Sequence, residues 1–177
     1  MSASAHSVAA FLALGSNLGS RLAHLGFAVD QLDARDGVAV EEASLVYEAT
    51  AHTLTTDEHQ PGYLNAAVKV RTDLSLGDLL DACHDIERAA GRDRRREARW
   101  AARTLDIDIL VYGTVSVSTE RITVPHPRMG ARRFVLCPLY DLAPNLYVPA
   151  PYEQTVSDLL AACPDPDRPV RIEGMLR

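Results

Sequence analysis

Cysteine, aromatic residues and lysine are scarce in this chain, and it has no long apolar run. Its three cysteines are odd in number and widely spaced, so they form neither a disulfide framework nor a CxxC metal site, and a reducing cytoplasm is expected. No run reaches the ~20 apolar residues of a membrane span. No basic region precedes the apolar residues near the N-terminus, which argues against a secretory signal. The 177 residues are 47% hydrophobic and 24% charged, which predicts one globular domain over 1–177.

Positive charge is concentrated in one segment of an otherwise acidic chain. The net charge is −6, yet residues 88–103 contain seven arginines and only two acidic residues, which gives that segment a net charge of +5. Arginine suits phosphate oxygens because its planar fork donates two parallel hydrogen bonds. The distribution predicts one anionic ligand at one place, and it argues against a polyanion binder that uses the whole surface.

The hydrophobic periodicity predicts the element order β-α-β-β-α-β. Short apolar or alternating runs indicate strands, and apolar residues at helical spacing indicate helices. This order is typical of a ferredoxin-like α+β fold, in which two helices cover one face of a mainly antiparallel sheet. The predicted strands span 7–14, 38–48, 63–72 and 105–112, and the predicted helices span 20–35 and the stretch from the Ser75-x-x-Asp78 capping box to a stop at Gly91.

The C-terminal third is expected to be an irregular extension of this core. Nine of the ten prolines lie from Pro125 onward, and proline interrupts both helices and sheets. The pattern there predicts strands around 115–124, a helix within 129–143 and a short helix from about 155.

Asp106 and Asp108 form the sharpest local feature of the sequence. On a strand, residues i and i+2 point to the same face, with Cα atoms about 6.6 Å apart. Two carboxylates on one face repel each other unless a cation lies between them, and Mg²⁺ suits the pair when a phosphate supplies further oxygen ligands. A solvated strand face is the other interpretation of the same pattern.

Other residues favour a nucleotide-like ligand less specifically. Trp100, the only tryptophan, lies among the arginines and can stack on a flat heterocycle or fill the core. His126, held between two prolines, can donate to a phosphate. Tyr63 and Asn65 share a strand face, and the amide can read the edge of a heterocycle. Residues 15–19 (GSNLG) lack the spacing of a phosphate loop, so a tight turn with Ser or Asn capping is expected there.

Several longer motifs follow in one order between residue 8 and about 150. They are FLALGSNLGSR (11–21), QPGYLNAAV (60–68), IERAAGR (86–92), RWAARTLDIDILVYG (99–113), TVPHPRM (123–129) and RRFVLCPLYDLAP (132–144). Together they resemble the hydroxymethyl-dihydropterin pyrophosphokinase family of folate biosynthesis, with the RTLDIDIL and VPHP blocks the most specific. The resemblance implies the ferredoxin-like fold and an enzyme that transfers a diphosphate from ATP to the 6-hydroxymethyl group of a reduced pterin and releases AMP. It does not cover the tail at 155–177.

The resemblance also implies roles for individual residues. Asp106 and Asp108 match aspartates that hold two Mg²⁺ ions on the ATP phosphates, and Arg92 and Arg103 match phosphate-binding arginines. Trp100 matches the tryptophan of a mobile catalytic loop. The implied pterin contacts are Tyr63, Asn65, Trp100 and Phe134, and the implied ATP contacts are His84, Glu87, Arg92, Trp100, Arg103, Ile109, Arg121, Thr123, His126 and Arg132, together with Arg94 or Arg95.

The sequence departs from the family pattern in three places. The usual WGPR reads WAAR at 100–103, and the segment before it is one residue longer. The second loop arginine is therefore either Arg94 or Arg95. The stretch YEATA at 47–51 places its threonine out of the usual register, which leaves that part of the pterin pocket unassigned.

An RNA-binding module is the alternative that the pattern leaves open, since a ferredoxin-like sheet with a basic segment can bind single strands. An aromatic content of 6%, the lack of RNP-type strands and a pI of about 5.5 disfavour it. We therefore expect small-molecule substrates, no nucleic acid or membrane partner, and a monomer rather than an oligomer.

Overall fold

An antiparallel sheet forms the centre of the fold. The computed structural model describes residues 7–49, 62–92, 103–174 and 176. Five strands of the sheet span Val8–Ser16 (β1), Val38–Ala43 (β2), Tyr47–Ala49 (β3), Tyr63–Thr72 (β4) and Asp106–Tyr112 (β5). β1 pairs with β4 on one side and with β5 on the other, while β2 and β3 pair with successive parts of β4.

Two helices, α1 (Arg21–Asp33) and α2 (Leu76–Ala89), contribute the apolar layer on one face of this sheet. Their buried residues, such as Leu25, join Leu12 of β1 and Ile107 of β5 in one hydrophobic cluster. Burial of such side chains is the main favourable term in folding. The ferredoxin-like α+β fold is thereby confirmed, with β2 and β3 together in the place of the second strand of the expected βαββαβ order.

The ends of the two helices differ in how closely they follow the sequence signals. Ser75 accepts a hydrogen bond from the backbone N–H of Asp78 at the start of α2, and Gly91 follows its end with φ +86, as predicted. α1 begins after Ser20, which makes no side-chain capping hydrogen bond. The capping expected from the turn at 15–19 is therefore wrong.

The opposite face of the sheet is only partly covered. α3 (Arg133–Leu142) and α4 (Val156–Ala162) pack there against Phe11 and Leu110 in a second buried cluster. Near the end of β1 the face carries Ala13, whose small side chain leaves space above the sheet. This space is where the candidate site lies.

The predicted strand at 38–48 is wrong as a single element, because β2 and β3 are separate. The chain leaves the ladder at Ser44, whose hydroxyl accepts the backbone N–H of Ala67 at 2.8 Å in place of a backbone carbonyl. β2 also carries an irregularity in its pairing between Val40 and Glu42. A side-chain acceptor that replaces a ladder carbonyl gives no periodic signal in the sequence.

The predicted alternation of β5 fails at its C-terminal end. The pairing with β1 shifts register between Phe11 and Leu12, so that Val111 opposes Phe11 but Ile109 opposes Leu12. Leu110 is the extra residue of this bulge, and the side chains that follow it point to the opposite face from the one that strict alternation predicts. Val111 consequently packs in the cluster around α3, opposite to the face that strict alternation assigns to it.

The C-terminal part is irregular, as expected, and its predicted elements are present. The strands predicted around 115–124 form and pair with each other, and the helices predicted within 129–143 and from about 155 are present. None of the helices in the described ranges is both long and apolar enough to cross a membrane. The remaining short elements are β6 (Val117–Ser118), β7 (Thr123–Val124), a 3-10 turn (Met129–Ala131), β8 (Tyr147–Val148), β9 (Gln154–Thr155) and β10 (Val170–Arg171), which pairs with β3.

Candidate functional site

A cavity of about 810 Å³ lies on the sheet face beside α3, within the size range of small-molecule sites. Its floor is formed by the ends of β1, β4 and β5. Gly15 lies at the centre of this floor, where an added Cβ would lie 3.6 Å from Asn65 and 3.9 Å from Asp106. A larger residue there would project among the polar groups of the floor. The described wall residues include His126, Arg128, Arg132, Phe134, Pro164, Asp165 and Pro166.

The two aspartates of β5 lie side by side on this floor. Asp106 opposes Gly15 of β1 and Asp108 opposes Ala13, so small residues flank both carboxylates. Their side chains are 22% and 39% exposed, respectively. The intervening Ile107 points into the core on the other face. The shared face predicted from the sequence is therefore present, and it opens into a cavity.

Two arginines hold Asp106 from opposite sides. Arg92 donates from Nη1 to one carboxylate oxygen of Asp106, and Arg103 donates from Nη1 to the other at 2.9 Å. The side chain of Arg92 is only 3% exposed. Its charge is thus fixed at the edge of the cavity rather than extended into solvent.

Glu87 lies beneath this pair of arginines and completes a buried ion network. Its Oε1 accepts a hydrogen bond from Nη1 of Arg92 at 2.6 Å and another from the backbone N–H of Ile107 at 2.8 Å. The Glu87 side chain is 1% exposed. The carboxylate therefore links α2 to β5 and orients Arg92, and it is not among the described residues that line the cavity.

Asn17 is a residue of this site that sequence reasoning missed. Its buried side-chain oxygen accepts a hydrogen bond from the backbone N–H of Arg103 at 2.7 Å, and the backbone N–H of Asn17 donates to the Arg103 carbonyl at 3.1 Å. Asn17 thus holds the backbone that carries the Arg103 guanidinium, whereas we expected a serine or asparagine of this turn to cap α1. No local signal connects two positions so distant in the chain.

His126 faces the carboxylates from the rigid Pro-His-Pro segment. Its Nδ1 accepts the backbone N–H of Arg128 at 3.2 Å, and its Nε2 lies 3.8 Å from Oδ2 of Asp108. Burial, together with the nearby charges of Arg132 and Arg128, lowers the pKa of His126 to about 4. The ring is therefore neutral at physiological pH, with its proton on Nε2 because Nδ1 is an acceptor.

Arg128 and Arg132 make the wall around His126 cationic. Burial and the nearby charge of Arg128 lower the pKa of Arg132, although an arginine stays protonated in any case. The Arg132 guanidinium lies 5.6 Å from the centre of the Phe134 ring, a cation–π contact. Arg128 was not among the residues predicted from the sequence, although it lies only two positions after His126.

The predicted pterin contacts in the described ranges line the same cavity. Tyr63 and Asn65 of β4 line it together with Phe134 at the start of α3. Asn65 is 5% exposed and donates from Nδ2 to the carbonyl of Tyr63 at 3.3 Å. The cavity therefore offers an amide edge and an aromatic face to one flat ligand.

The remaining predicted contacts are not among the described residues that line this cavity. Arg121 forms an ion pair with Asp81 on the surface, and Thr123 lies on β7. Ile109 of β5 is buried in the hydrophobic core, and His84 lies half-buried on α2. Trp100, Arg94 and Arg95 lie outside the described residues.

Among the described residues, Asp106 and Asp108 are the two evident ligands for a metal ion at this site. Within the described ranges, no group of three or more His, Cys, Asp or Glu side chains is arranged to hold a metal. The carboxylates of Asp106 and Asp108 are hard oxygen donors on one face, which suits Mg²⁺ when phosphate oxygens and water complete its shell. The donor set therefore fits an ion that arrives with a phosphorylated ligand.

Comparison with known proteins identifies relatives along most of the chain. The 7,8-dihydro-6-hydroxymethylpterin-pyrophosphokinase (HPPK) family model matches residues 11–144. A 2-amino-4-hydroxy-6-hydroxymethyldihydropteridine pyrophosphokinase of Methylorubrum extorquens is 41% identical over 164 residues, which cover 93% of this chain and 98% of that protein. The Bacillus subtilis protein of the same name is 41% identical over 133 residues, 75% of this chain and 77% of that one.

A solved structure supports the fold independently of these sequences. The wild-type HPPK-DHPS of Plasmodium falciparum, crystallised with pterin and p-hydroxybenzoate, superimposes with a TM-score of 0.65 over 88% of this chain at 14% identity. This chain spans 43% of that structure. Because the identity is low, the likeness concerns the fold alone. The family match supports the enzyme interpretation over the RNA-binding one, and the chain belongs to the 7,8-dihydro-6-hydroxymethylpterin-pyrophosphokinase family.

Proposed function

We propose that this chain transfers a diphosphate group from ATP to the hydroxymethyl group of 6-hydroxymethyl-7,8-dihydropterin and releases AMP. The observation that carries the proposal is the composition of one cavity. The same cavity is lined by Asp106, Asp108, Arg92 and Arg103 and by Phe134 and Asn65. The charged side chains suit phosphates, and the aromatic ring with the amide suits a flat heterocycle, as a transfer between two such substrates requires.

The reaction is an in-line displacement at the β-phosphorus of ATP. A bond forms between the pterin hydroxyl oxygen and this phosphorus, and the bond from the phosphorus to the oxygen that bridges to the α-phosphate breaks. AMP leaves with that oxygen, and the hydroxyl proton is released to water. Positioning and charge stabilisation carry most of the catalysis in phosphoryl transfer, so the chain needs little covalent chemistry of its own.

The carboxylates of Asp106 and Asp108 would hold Mg²⁺, and we infer two ions. Bound Mg²⁺ would neutralise phosphate charge and orient the attacking and leaving oxygens. Arg92 and Arg103 fix the Asp106 carboxylate in one orientation before any ligand arrives. Preorganised ligands of this kind avoid a reorganisation cost at the moment of reaction.

The cationic wall stabilises phosphate charge that the metal does not neutralise. Arg103, Arg128 and Arg132 all line the cavity. Neutral His126 presents an Nε2–H that can donate to a phosphate oxygen, because its Nδ1 is held by the backbone of Arg128. These groups would bind the diphosphate and keep its β-phosphorus near the pterin hydroxyl.

The pterin would lie between Phe134 and the end of β4. Phe134 offers a face for stacking, and the amide of Asn65 offers a donor and an acceptor to the edge of the ring system. Tyr63 borders the same space. Trp100 lies outside the described residues and remains a predicted contact of both substrates. Arg94 or Arg95, which also lie outside them, remains a predicted contact of ATP.

The nucleotide contacts implied for His84, Glu87, Ile109, Arg121 and Thr123 stay predictions. For Glu87, the contacts with Arg92 and Ile107 support a positioning role beneath the site. We also infer that the chain acts as a single domain and as a monomer in the cytoplasm. The free thiols of Cys83, Cys137 and Cys163 are consistent with a reducing compartment.

The test is a product analysis with the purified chain, ATP, Mg²⁺ and the pterin. We expect AMP and a pterin diphosphate in equal amounts, with neither product when the pterin is omitted. Stoichiometric ADP would contradict the proposal and indicate transfer of a single phosphoryl group. The RNA-binding alternative predicts no nucleotide product at all.

A further inference from the structure

The C-terminal tail forms part of the cavity wall, although the family match ends at residue 144. The turn that follows α4 places Pro164, Asp165 and Pro166 along the cavity, near Phe134. The tail therefore contributes residues to the cavity itself. Asp165 of this segment makes the first of two sets of contacts that connect the tail to the rest of the protein.

Asp165 binds the start of α3 through both its side chain and its backbone. Its Oδ2 accepts the backbone N–H of Arg133 at 3.0 Å, and its carbonyl accepts Nε of the same arginine at 2.8 Å. Arg133 also donates from Nη2 to the carbonyl of Cys163 at 3.2 Å. The other oxygen, Oδ1, accepts the N–H of Asp167 at 3.0 Å, which fixes the turn.

The helix α3 lacks a cap of its own at this end. Arg132 occupies the N-cap position without a capping side-chain hydrogen bond, and the first turn has no acidic residue. The first N–H groups of a helix need acceptors, and a carboxylate there also interacts favourably with the helix dipole. Asp165 supplies this carboxylate from the tail to Arg133, the residue before Phe134.

A second anchor lies further along the tail. β10 pairs with β3, so that Arg171 opposes Tyr47, and the N–H of Ile172 donates to the carbonyl of Val46 at 3.0 Å. Tyr47 in turn donates to Asp141 at the other end of α3. The tail segment between these anchors is thus attached both to the sheet edge and to the helix that carries Phe134.

We propose that Asp165 is a positioning residue for the pterin subsite, acting through Arg133 to set the place of the Phe134 ring. The tail turn then forms the outer wall of that subsite. This inference rests on the proposed function, because it assigns Phe134 to the pterin. The backbone N–H of Arg132, by contrast, donates to the carbonyl of Met129, so the position of Arg132 depends less on the tail.

The experiment compares Asp165→Ala with Asp158→Ala. Asp158 caps α4 in a reciprocal capping box with Thr155 and is not among the cavity-lining residues, so it is a matched helix cap. For each variant, KM for the pterin, KM for ATP, kcat and the free energy of unfolding are measured. Asp165→Asn, which keeps one acceptor oxygen, serves as the conservative variant.

We expect Asp165→Ala to raise KM for the pterin by about tenfold, since displacements near 1 Å at a site cost up to about a hundredfold. KM for ATP is expected to change by less than about twofold, and Asp165→Asn is expected to recover part of the loss. Both alanine variants lose stability by the ~1 kcal/mol of a helix cap. A wild-type KM for the pterin in Asp165→Ala would overturn the inference and leave Asp165 a helix cap only. The wild-type product analysis tests the proposed function separately.

Discussion

Asn17 and Arg103, which are 86 residues apart in the sequence, are joined by two hydrogen bonds. The side-chain oxygen of Asn17 accepts the backbone N–H of Arg103, and the backbone N–H of Asn17 donates to the Arg103 carbonyl. The contact joins the end of β1 to the segment that leads into β5. Since the guanidinium of Arg103 binds Asp106, the amide of Asn17 fixes one side of the carboxylate pair. Asn17, which is not among the described residues that line the cavity, thereby helps to set the geometry around Asp106.

Asn17→Ala is expected to lower kcat by about tenfold, because a misplaced group at a site costs catalysis steeply. The variant leaves the N–H of Arg103 without its acceptor, which costs ~1–3 kcal/mol of stability. Ser44→Ala is the control, since Ser44 also accepts a backbone N–H in a buried position but is not among the residues that line the cavity. Equal kcat losses in the two variants would show that the effect is a general loss of stability.

Asp108→Asn is expected to lower activity by at least about a hundredfold, since even supporting residues of metal sites cost 10–100-fold. The change removes a charge that a hard cation needs while size is preserved. Asp106→Asn is expected to lower activity similarly but also stability, because Asp106 is bound by Arg92 and Arg103. Product formation is measured across a Mg²⁺ titration. Near-full activity of Asp108→Asn at ordinary Mg²⁺ would exclude a metal role for Asp108.

Glu87→Gln is expected to reduce the free energy of unfolding by about 3–5 kcal/mol, the range for removal of one partner from a buried ion pair. The amide loses the charge that balances Arg92. Asp85→Asn on the same helix removes one partner of surface ion pairs with Arg35 and Arg88 and is expected to cost less than about 1 kcal/mol. Denaturant unfolding compares the two variants, and similar losses would contradict the buried network.

Cys83 is expected to resist alkylation in the native protein. Burial, together with the nearby charges of Glu87 and Asp108, raises the pKa of its thiol to about 12. At about pH 8 the thiol therefore remains protonated, and only the thiolate is a nucleophile. The half-buried Cys137 is expected to react first. Mass spectrometry of alkylated peptides measures both, and rapid native modification of Cys83 would contradict the packing of α2 on the sheet.

Local signals account for the parts of this molecule that the sequence predicted well. Ser75 and Gly91 mark the ends of α2 because capping depends on residues within one turn. Asp106 and Asp108 share a face because a strand alternates with a period of two. The cavity then follows from small residues such as Gly15 on the neighbouring strand, whose effect appears only once the register is known.

Long-range contacts account for what sequence reasoning missed. Asn17 holds Arg103 across the sheet, and Asp165 reaches α3 from the tail, yet neither contact has a periodic or motif signature. The bulge at Leu110 reverses the face of Val111 because of its pairing with β1, which no single-strand pattern encodes. Such features depend on which elements meet in space, and composition does not determine that.

The most direct test of the central claim follows the β-phosphorus of ATP. ATP that carries radioactive phosphorus only at the β position is incubated with the purified chain, Mg²⁺ and 6-hydroxymethyl-7,8-dihydropterin, and the products are separated by chromatography. Our account predicts that all transferred label appears in the pterin product and that the AMP is unlabelled. Label that remains in a nucleotide product, as ADP, would contradict diphosphate transfer.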